Sequence, residues 1–465
     1  MQKTSAFVAI FVALGFFNCQ QTEPDQKPNI IYILADDLGY GDLGSYGQQQ
    51  IKTPNLDRLA DEGMRFTQHY AGSTVCAPSR ACLMTGLHSG HSPIRGNKEV
   101  KPMGQHPLRD EDVTIAEMLK DAGYATGLIG KWGLGAPGSS GEPNNQGFDY
   151  FYGYLCQRHA HNYYPEFLFR NRERVVLEGN ISQEPKRADG AGVAVERAQY
   201  THDLFAQEAL GFIEKNQGKP FFLMLTMTIP HANNEAGKAG MEVPDFGEYA
   251  DKDWPDAQKG HAAMISRMDQ SVGEIIEKLK TLGLDENTVI MFSSDNGPHR
   301  EGGADPDFFD SNGPLRGIKR DLYEGGVRVP MIVRWPGRIK AGSESNHGSA
   351  FWDVLPTVSE IAGVEPPENI DGLSFLPELL GQEQPQHEYL YWEFHWWKAS
   401  KQAVRMGDWK GVRLSPNGPL ELYNVQNDPS ETNNIAAENP EVVAQITGLI
   451  DQARIDDENW PLKFE

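Results

Sequence analysis

The feature that most restricts how this chain folds is a repeated one: a short, unbroken apolar run that stops in charged or polar residues. Residues 29–35 read Asn-Ile-Ile-Tyr-Ile-Leu-Ala and end in Asp36-Asp37. A run of this length with no polar alternation predicts a strand buried on both faces of a mostly parallel sheet. The pattern returns at Ala125–Ile129, followed by Gly130-Lys131, and at Phe221–Met227, followed by Thr228-Ile229-Pro230-His231. It returns again at Thr288–Ser293, followed by Ser294-Asp295-Asn296-Gly297. Helical stretches separate these runs. Thr53-Pro54 supplies an N-cap and a first-turn proline for a helix to about Glu62, stopped by Gly63. Thr114–Ala122, Thr201–Lys215 and Gly260–Leu282 also read as helices. This alternation predicts the α/β class: a large doubly wound domain with a central, mostly parallel sheet flanked by helices.

Near residue 380 the pattern changes. Short strands are expected at Tyr389–Phe394, Gln402–Met406, Trp409–Leu414 and Glu421–Val425, with a helix near Glu441–Arg454. Together they read as a small C-terminal α+β domain with a short antiparallel sheet. The expected organisation is residues 1–27 as leader and linker, 28–380 as the large domain and 381–465 as the small one. A chain of 465 residues buries a large core. Gly- and Pro-rich stretches at 135–147, 233–254 and 299–315 are the candidate active-site loops.

Lys and Arg number 42 against 65 Asp and Glu, a formal charge of −23 that argues against sequence-independent nucleic-acid binding. An anionic substrate must therefore meet a local cluster of cations. Residues 1–17 read as a secretory signal, with Lys3 ahead of the apolar run Ala6–Phe17, which is too short to span a bilayer. Cys19 follows that run and precedes the polar linker Gln20–Pro28, as at a lipoprotein acylation site, with ordinary signal cleavage nearby as the alternative. The expectation is an exported protein, in the periplasm or lipid-anchored at the outer membrane or cell surface. Four cysteines are too few for a disulfide scaffold, and Cys82 and Cys156 are expected to be free and buried.

In open α/β sheets, ligands bind beyond the carboxyl ends of the strands. Asp36, Asp37, Lys131, His231, Asp295 and Asn296 all fall at those ends. Three carboxylates and an amide oxygen form an all-oxygen set suited to a hard divalent cation, Ca²⁺ or Mg²⁺. No cysteine or histidine cluster has zinc spacing. Taken singly, Asp36-Asp37 also fits a turn after a strand and Asp295-Asn296-Gly297 a tight turn. Adjacent carboxylates repel, so two acidic pairs ending two buried strands point to positive charge between them.

The segment Cys76-Ala77-Pro78-Ser79-Arg80, continuing to Gly86, predicts a short helix with Cys76 at its N-terminus, where free N–H groups favour an anion or a thiolate. Read alone it also fits a buried structural cysteine. The run Cys-x-Pro-Ser-Arg followed by Leu83-x-Thr85-Gly86 does not stand alone, however. It is joined by Gly130-Lys131-Trp132, Asp36-Asp37-Leu38-Gly39-Tyr40-Gly41-Asp42, Ser294-Asp295-Asn296-Gly297, and Leu422-Tyr423-Asn424 with Asp428-Pro429. From Pro28 to the C-terminus the chain thus resembles the type I, formylglycine-dependent sulfatases, whose fold is alkaline-phosphatase-like.

The resemblance implies that a maturase oxidises Cys76 to formylglycine (3-oxoalanine) before folding, and that the aldehyde is hydrated to a geminal diol. It implies one Ca²⁺ held by Asp36, Asp37, Asp295, Asn296 and residue 76, with Arg80, Lys131, His231 and Lys319 around the sulfate. In that scheme one diol oxygen attacks sulfur and His231 protonates the leaving alcohol. Loss of the second hydroxyl's proton then expels sulfate and restores the aldehyde. One position departs from the family. A histidine usually stands two residues after the lysine of Gly-Lys-Trp, where this chain has Gly133. His161 and His299 are the stand-ins to consider, as is a wider pocket.

On the substrate side, Gln157–Pro165 and Trp392–Lys398 combine hydrogen-bond donors with flat aromatics, as sugar sites do, although core packing also accounts for Trp392 and Phe394. Arg158, His161, His299 and His395 are the candidate substrate contacts. The expected function is hydrolysis of a sulfate ester on a sulfated carbohydrate, galactose-type sulfate being one such substrate. Its rivals are an arylsulfatase, a phosphoester hydrolase using the same site, and a catalytically silent binding lipoprotein.

Overall fold

The structure, a computed structural model, describes residues 27–395 and 399–464. The secretory signal and Cys19 lie outside the described residues, as do Trp396, Trp397 and Lys398. The four apolar runs pair as neighbours. Thr288–Ser294, Asn29–Ala35, Phe221–Thr226, Ala125–Lys131 and Tyr150–Tyr154 lie side by side in that order, all parallel. Ile31 and Ile33 enter one hydrophobic core while Ile30, Tyr32 and Leu34 enter the other, on the opposite face. Burial on both faces is why the run lacks polar alternation.

Helices cover both faces. Thr201–Asn216 and the amphipathic Asp256–Thr281 contribute Phe205, Ile213, Ile265 and Ile276 to one core. Ile115–Asp121 and Val354–Ala362 contribute Leu119, Leu355 and Val358 to the other. Each fully buried aliphatic side chain contributes roughly 1.5–3 kcal/mol.

The sheet is larger than the apolar runs announce, with 11 strands. Arg328–Arg334 lies antiparallel to both Thr288–Ser294 and Met64–Tyr70. Its pattern was hidden by Pro330, which sits where the register shifts between Val329 and Met331. A separate antiparallel sheet comprises Leu390–His395, Ser400–Met406, Trp409–Arg413 and Leu420–Asn424, in that order. The helix Pro440–Gln452 packs Ile446 and Ile450 against its Tyr391, Val404 and Leu422. Trp392, on the other face of the first strand, donates from Nε1 to the Ala71 carbonyl at 2.9 Å and ties this sheet to the large one. Among the described residues no helix is long and apolar enough to cross a membrane.

Candidate active site

Register decides where the site forms. Ala35 faces Ser294, and Thr226 faces both Leu34 and Gly130, so the parallel strands end nearly level. The strand order turns at Asn29–Ala35, whose sequence neighbours lie on neither side, and such a reversal opens a crevice at the carboxyl edge. Asp36 and Asp37 leave the first strand there, Asp295 and Asn296 the second, Lys131 ends the third and His231 follows the fourth. Asp295 N donates to Ala35 O at 3.1 Å, and Asp37 N to the Asp295 carboxylate at 3.1 Å.

The cysteine is delivered from outside the sheet. The helix Cys76–Thr85 follows extended Val75 and stops at Gly86, whose φ of 69° is the left-handed C-cap conformation that glycine favours. All ten of its residues are buried. Cys76 Sγ lies 3.4 Å from Asp36 Oδ1. One turn on, Arg80 donates from Nε and Nη2 to Asp295 Oδ2 at 3.0 and 2.8 Å, and from Nη1 to the Lys131 carbonyl at 2.6 Å.

Two further cations complete the cluster. Lys131 Nζ donates to Asp36 Oδ2 at 2.6 Å and Lys319 Nζ to Asp37 Oδ2 at 2.7 Å. Lys319 Nζ also lies 3.0 Å from His231 Nε2. His231 Nδ1 is 2.7 Å from the Ala232 carbonyl, so Nδ1 carries the proton and Nε2 presents its lone pair to Lys319. Burial, reinforced by the Lys319 charge, pulls the His231 pKa down to about 3. Burial pushes the Asp36 and Asp37 carboxyls up, but the surrounding cations, Lys131 foremost for Asp36 and Lys319 for Asp37, together outweigh it and hold both well below the usual range. Asp295 is raised to about 6 by burial and by the Asp36 charge. Burial also pushes the Cys76 thiol far up, so the unmodified cysteine is a poor nucleophile here.

The donor set suits a hard cation. Ligand atoms on Asp36, Asp37, Cys76 and His231 all lie within 4.8 Å of one another. Asn296 Nδ2 donates to Asp37 Oδ1 at 2.7 Å, leaving Asn296 Oδ1 buried and without a partner among the described residues. An orphaned amide oxygen beside three carboxylates is what oxygen-coordinated Ca²⁺ or Mg²⁺ would satisfy.

The structure divides the four candidate substrate contacts. His161 lies at the site, its ring stacked on His231 at 4.9 Å, with Nδ1 3.0 Å from Glu235 Oε2. Arg158, nearby, faces Glu235, Glu99 and Asp189 at 3.5, 3.6 and 3.9 Å and lines a cleft of about 320 Å³ with Lys101 and Arg187. His299 lies 5.8 Å from His231, but Nε2 donates to Pro230 O and Nδ1 accepts from Glu301 N, so neither nitrogen is left for a ligand. His395 is absorbed into the small sheet, bonded to Glu393 and Ser400 at 2.9 and 3.0 Å, and offers no contact to the cluster. Its position after an aromatic strand suggested a sugar contact; burial explains it instead.

Glu301 was not foreseen. It pairs with Lys319 at 3.4 Å and with Arg320. Only its place in the 299–315 loop marked it. Cys82 and Cys156 are free and buried, as expected.

An alkaline-phosphatase-like α/β fold carrying carboxylates, cations and a helix-borne cysteine at one sheet edge defines a class of ester hydrolases acting on tetrahedral oxyanions. Residues 28–364 match the sulfatase family model, and residues 318–456 match that of the N-sulphoglucosamine sulphohydrolase C-terminal region. The chain belongs to the sulfatase family, the sulfuric ester hydrolases. It is 30% identical to an N-acetylgalactosamine-6-O-sulfatase of Bacteroides thetaiotaomicron, over 92% of this chain and 93% of the relative. It is 33% identical to the steryl-sulfatase of Mus musculus, over 84% and 72%. Among solved structures, Ps i-CgsB in complex with k-i-k-neocarrahexaose matches with a TM-score of 0.78 at 29% identity, covering 92% of each chain.

Proposed function

We propose that this sulfatase cleaves a sulfate ester from a sulfated carbohydrate, using formylglycine made from Cys76 and one Ca²⁺. The observation that carries the reading is the convergence of Cys76, Asp36, Asp37, Asp295, Asn296, Arg80, Lys131, His231 and Lys319 on one buried cluster. Ca²⁺ would be held by the three carboxylates, the Asn296 amide oxygen and residue 76. When bound, it offsets the charge of the sulfate and of the developing transition state. Lys131, Lys319 and Arg80 surround the same point with positive charge in a dry site, where such groups act most strongly. His231 Nε2 and Lys319 Nζ, 3.0 Å apart, hold the transferable proton for the leaving alcohol. The geminal diol explains the need for modification: it supplies a nucleophilic hydroxyl and a second one whose deprotonation releases sulfate, an exit a thiol lacks.

The carbohydrate assignment is supported by the relatives, an N-acetylgalactosamine-6-O-sulfatase and a structure in complex with k-i-k-neocarrahexaose. It is supported too by His161 and Arg158 beside the site. We further propose export, with Cys19 as a lipid anchor, and modification of Cys76 by a separate maturase; these rest on the sequence.

The test is sulfate release from sulfated mono- and oligosaccharides and an aryl sulfate, using protein made with a maturase. Release should be lost by more than about 10³-fold in Cys76→Ala. Mass spectrometry showing formylglycine at residue 76 with no release from any sugar would exclude the substrate class and turn attention to aryl sulfates and phosphate esters.

A further inference from the structure

Two residues beyond Lys131 the chain has Gly133 with φ 81°, a conformation that other residues rarely adopt. The space a side chain would take there is filled from the turn that follows the strand Tyr150–Tyr154. A Cβ on Gly133 would lie 2.8 Å from Cγ and 2.9 Å from Nε2 of Gln157. Sheet register brings the two together. Lys131 faces Tyr154, Trp132 N donates to Tyr154 O at 2.9 Å and Gly133 N to Leu155 O at 3.2 Å, which extends the ladder past the strand ends. Gln157 is then pinned at its backbone, where its N–H donates to Gln105 Oε1 at 2.8 Å.

The residue is nearly buried, at 5% exposure, yet among the described residues Nε2 has no hydrogen-bond partner. Buried amide donors are rarely left unpaired, and this one lies against the backbone two residues beyond Lys131, where a ligand of the neighbouring cation cluster would satisfy it. We propose that Gln157 occupies the place of a side chain at position 133, and that its Nε2 donates a hydrogen bond to a sulfate oxygen of the substrate. The proposal rests on the sulfatase reading above. Lys131, two residues away along the same strand end, is already engaged with Asp36 and provides charge without direction. The Gln157 amide supplies a directed donor that carries no charge and keeps its proton at every working pH.

Inorganic sulfate titrated calorimetrically into the full-length protein in calcium-containing buffer tests this, alongside kcat and KM on a responding ester. Gln157→Ala should weaken sulfate binding by about 10- to 100-fold. Gln157→Glu, nearly the same shape but with the donor replaced by an anionic acceptor, should weaken it further while keeping the melting temperature. Gly133→Ala, which pushes a methyl into the Gln157 side chain, should reproduce the Gln157→Ala loss. Gln157→His should recover part of the binding and add a pH dependence that the wild type lacks. Sulfate binding equal to wild type in both Gln157→Ala and Gln157→Glu overturns the assignment of Gln157 and leaves the sulfatase reading intact. A wild-type protein that neither binds sulfate nor hydrolyses any sulfate ester overturns both.

Discussion

The imidazole of His161 lies almost flat on that of His231, with centroids 4.9 Å apart and planes within 15°. His161 is itself fixed by Glu235, so the stack holds the plane of the ring whose Nε2 meets Lys319. His161→Ala should lower kcat about ten- to a hundredfold with the fold intact, the usual cost of a displaced reacting group. His161→Phe keeps a stacking face and should recover part of that loss. If Phe recovers nothing and KM rises instead, the His161 nitrogen contacts substrate directly.

Calcium should stabilise the chain. A ligand at about 100 times its dissociation constant contributes about 2.7 kcal/mol. Chelation should therefore abolish sulfate release and lower the melting temperature, and added Ca²⁺ should restore both. In Asp37→Asn the calcium-dependent thermal shift should vanish, whatever the state of residue 76.

A buried triad joins the small sheet to the large one. Lys410 Nζ lies 2.8 Å from Glu324 and 3.4 Å from Glu431, all three side chains inaccessible to solvent. Burial and the neighbouring Glu324 charge raise the Glu431 carboxyl to about 7. Between its ordinary pKa near 4.5 and that value, the folded protein keeps a proton the unfolded chain has lost. Stability must then fall as pH rises through this window. Glu431→Gln should flatten the decline between about pH 4.5 and 7 relative to wild type, as read by urea unfolding at each pH; an unchanged slope would assign it to other groups.

Glu393 is the pivot of a second buried network. It accepts from Arg95 and Arg454 at 3.0 Å each, from His395 at 2.9 Å and from Tyr391 at 2.8 Å. Glu393→Ala leaves the buried Arg95 without its anion and Arg454 with Asp456 alone, and should cost about 3–5 kcal/mol. Activity per folded molecule should be little changed, because none of these groups touches the Cys76 cluster. A variant as stable as wild type would show that water enters to replace the carboxylate.

Sequence made the site more legible than the sheet around it. Asp36, Lys131, His231 and Asp295 could be placed because each ends a run whose apolar character comes from burial on both faces. Met64–Tyr70 and Arg328–Arg334 stayed hidden because the first is half polar and the second carries Pro330 at a register shift. Arg80 and Lys319 were reached only through resemblance, since neither ends a parallel strand. His395 misled because a histidine after aromatics reads alike whether it faces a sugar or a buried glutamate. Gln157 opened a segment read as donor-rich, but its relation to Gly133 is set by the register of the two strands that precede them, and no local pattern encodes it.

The stretch around Cys76 is clasped by residues made much later. Ala71, Ser89 and Arg95 bond to Trp392 and Glu393 across 321, 304 and 298 residues of chain. Trp460, farther on still, donates from Nε1 to the Pro93 carbonyl at 2.8 Å. At about 5–20 residues per second, roughly 15 to 60 s separate emergence of the cysteine from emergence of its clasp. Cys76 itself is 2% exposed in the folded chain. The segment that carries Cys76 therefore reaches its full set of contacts only once the small sheet has been made.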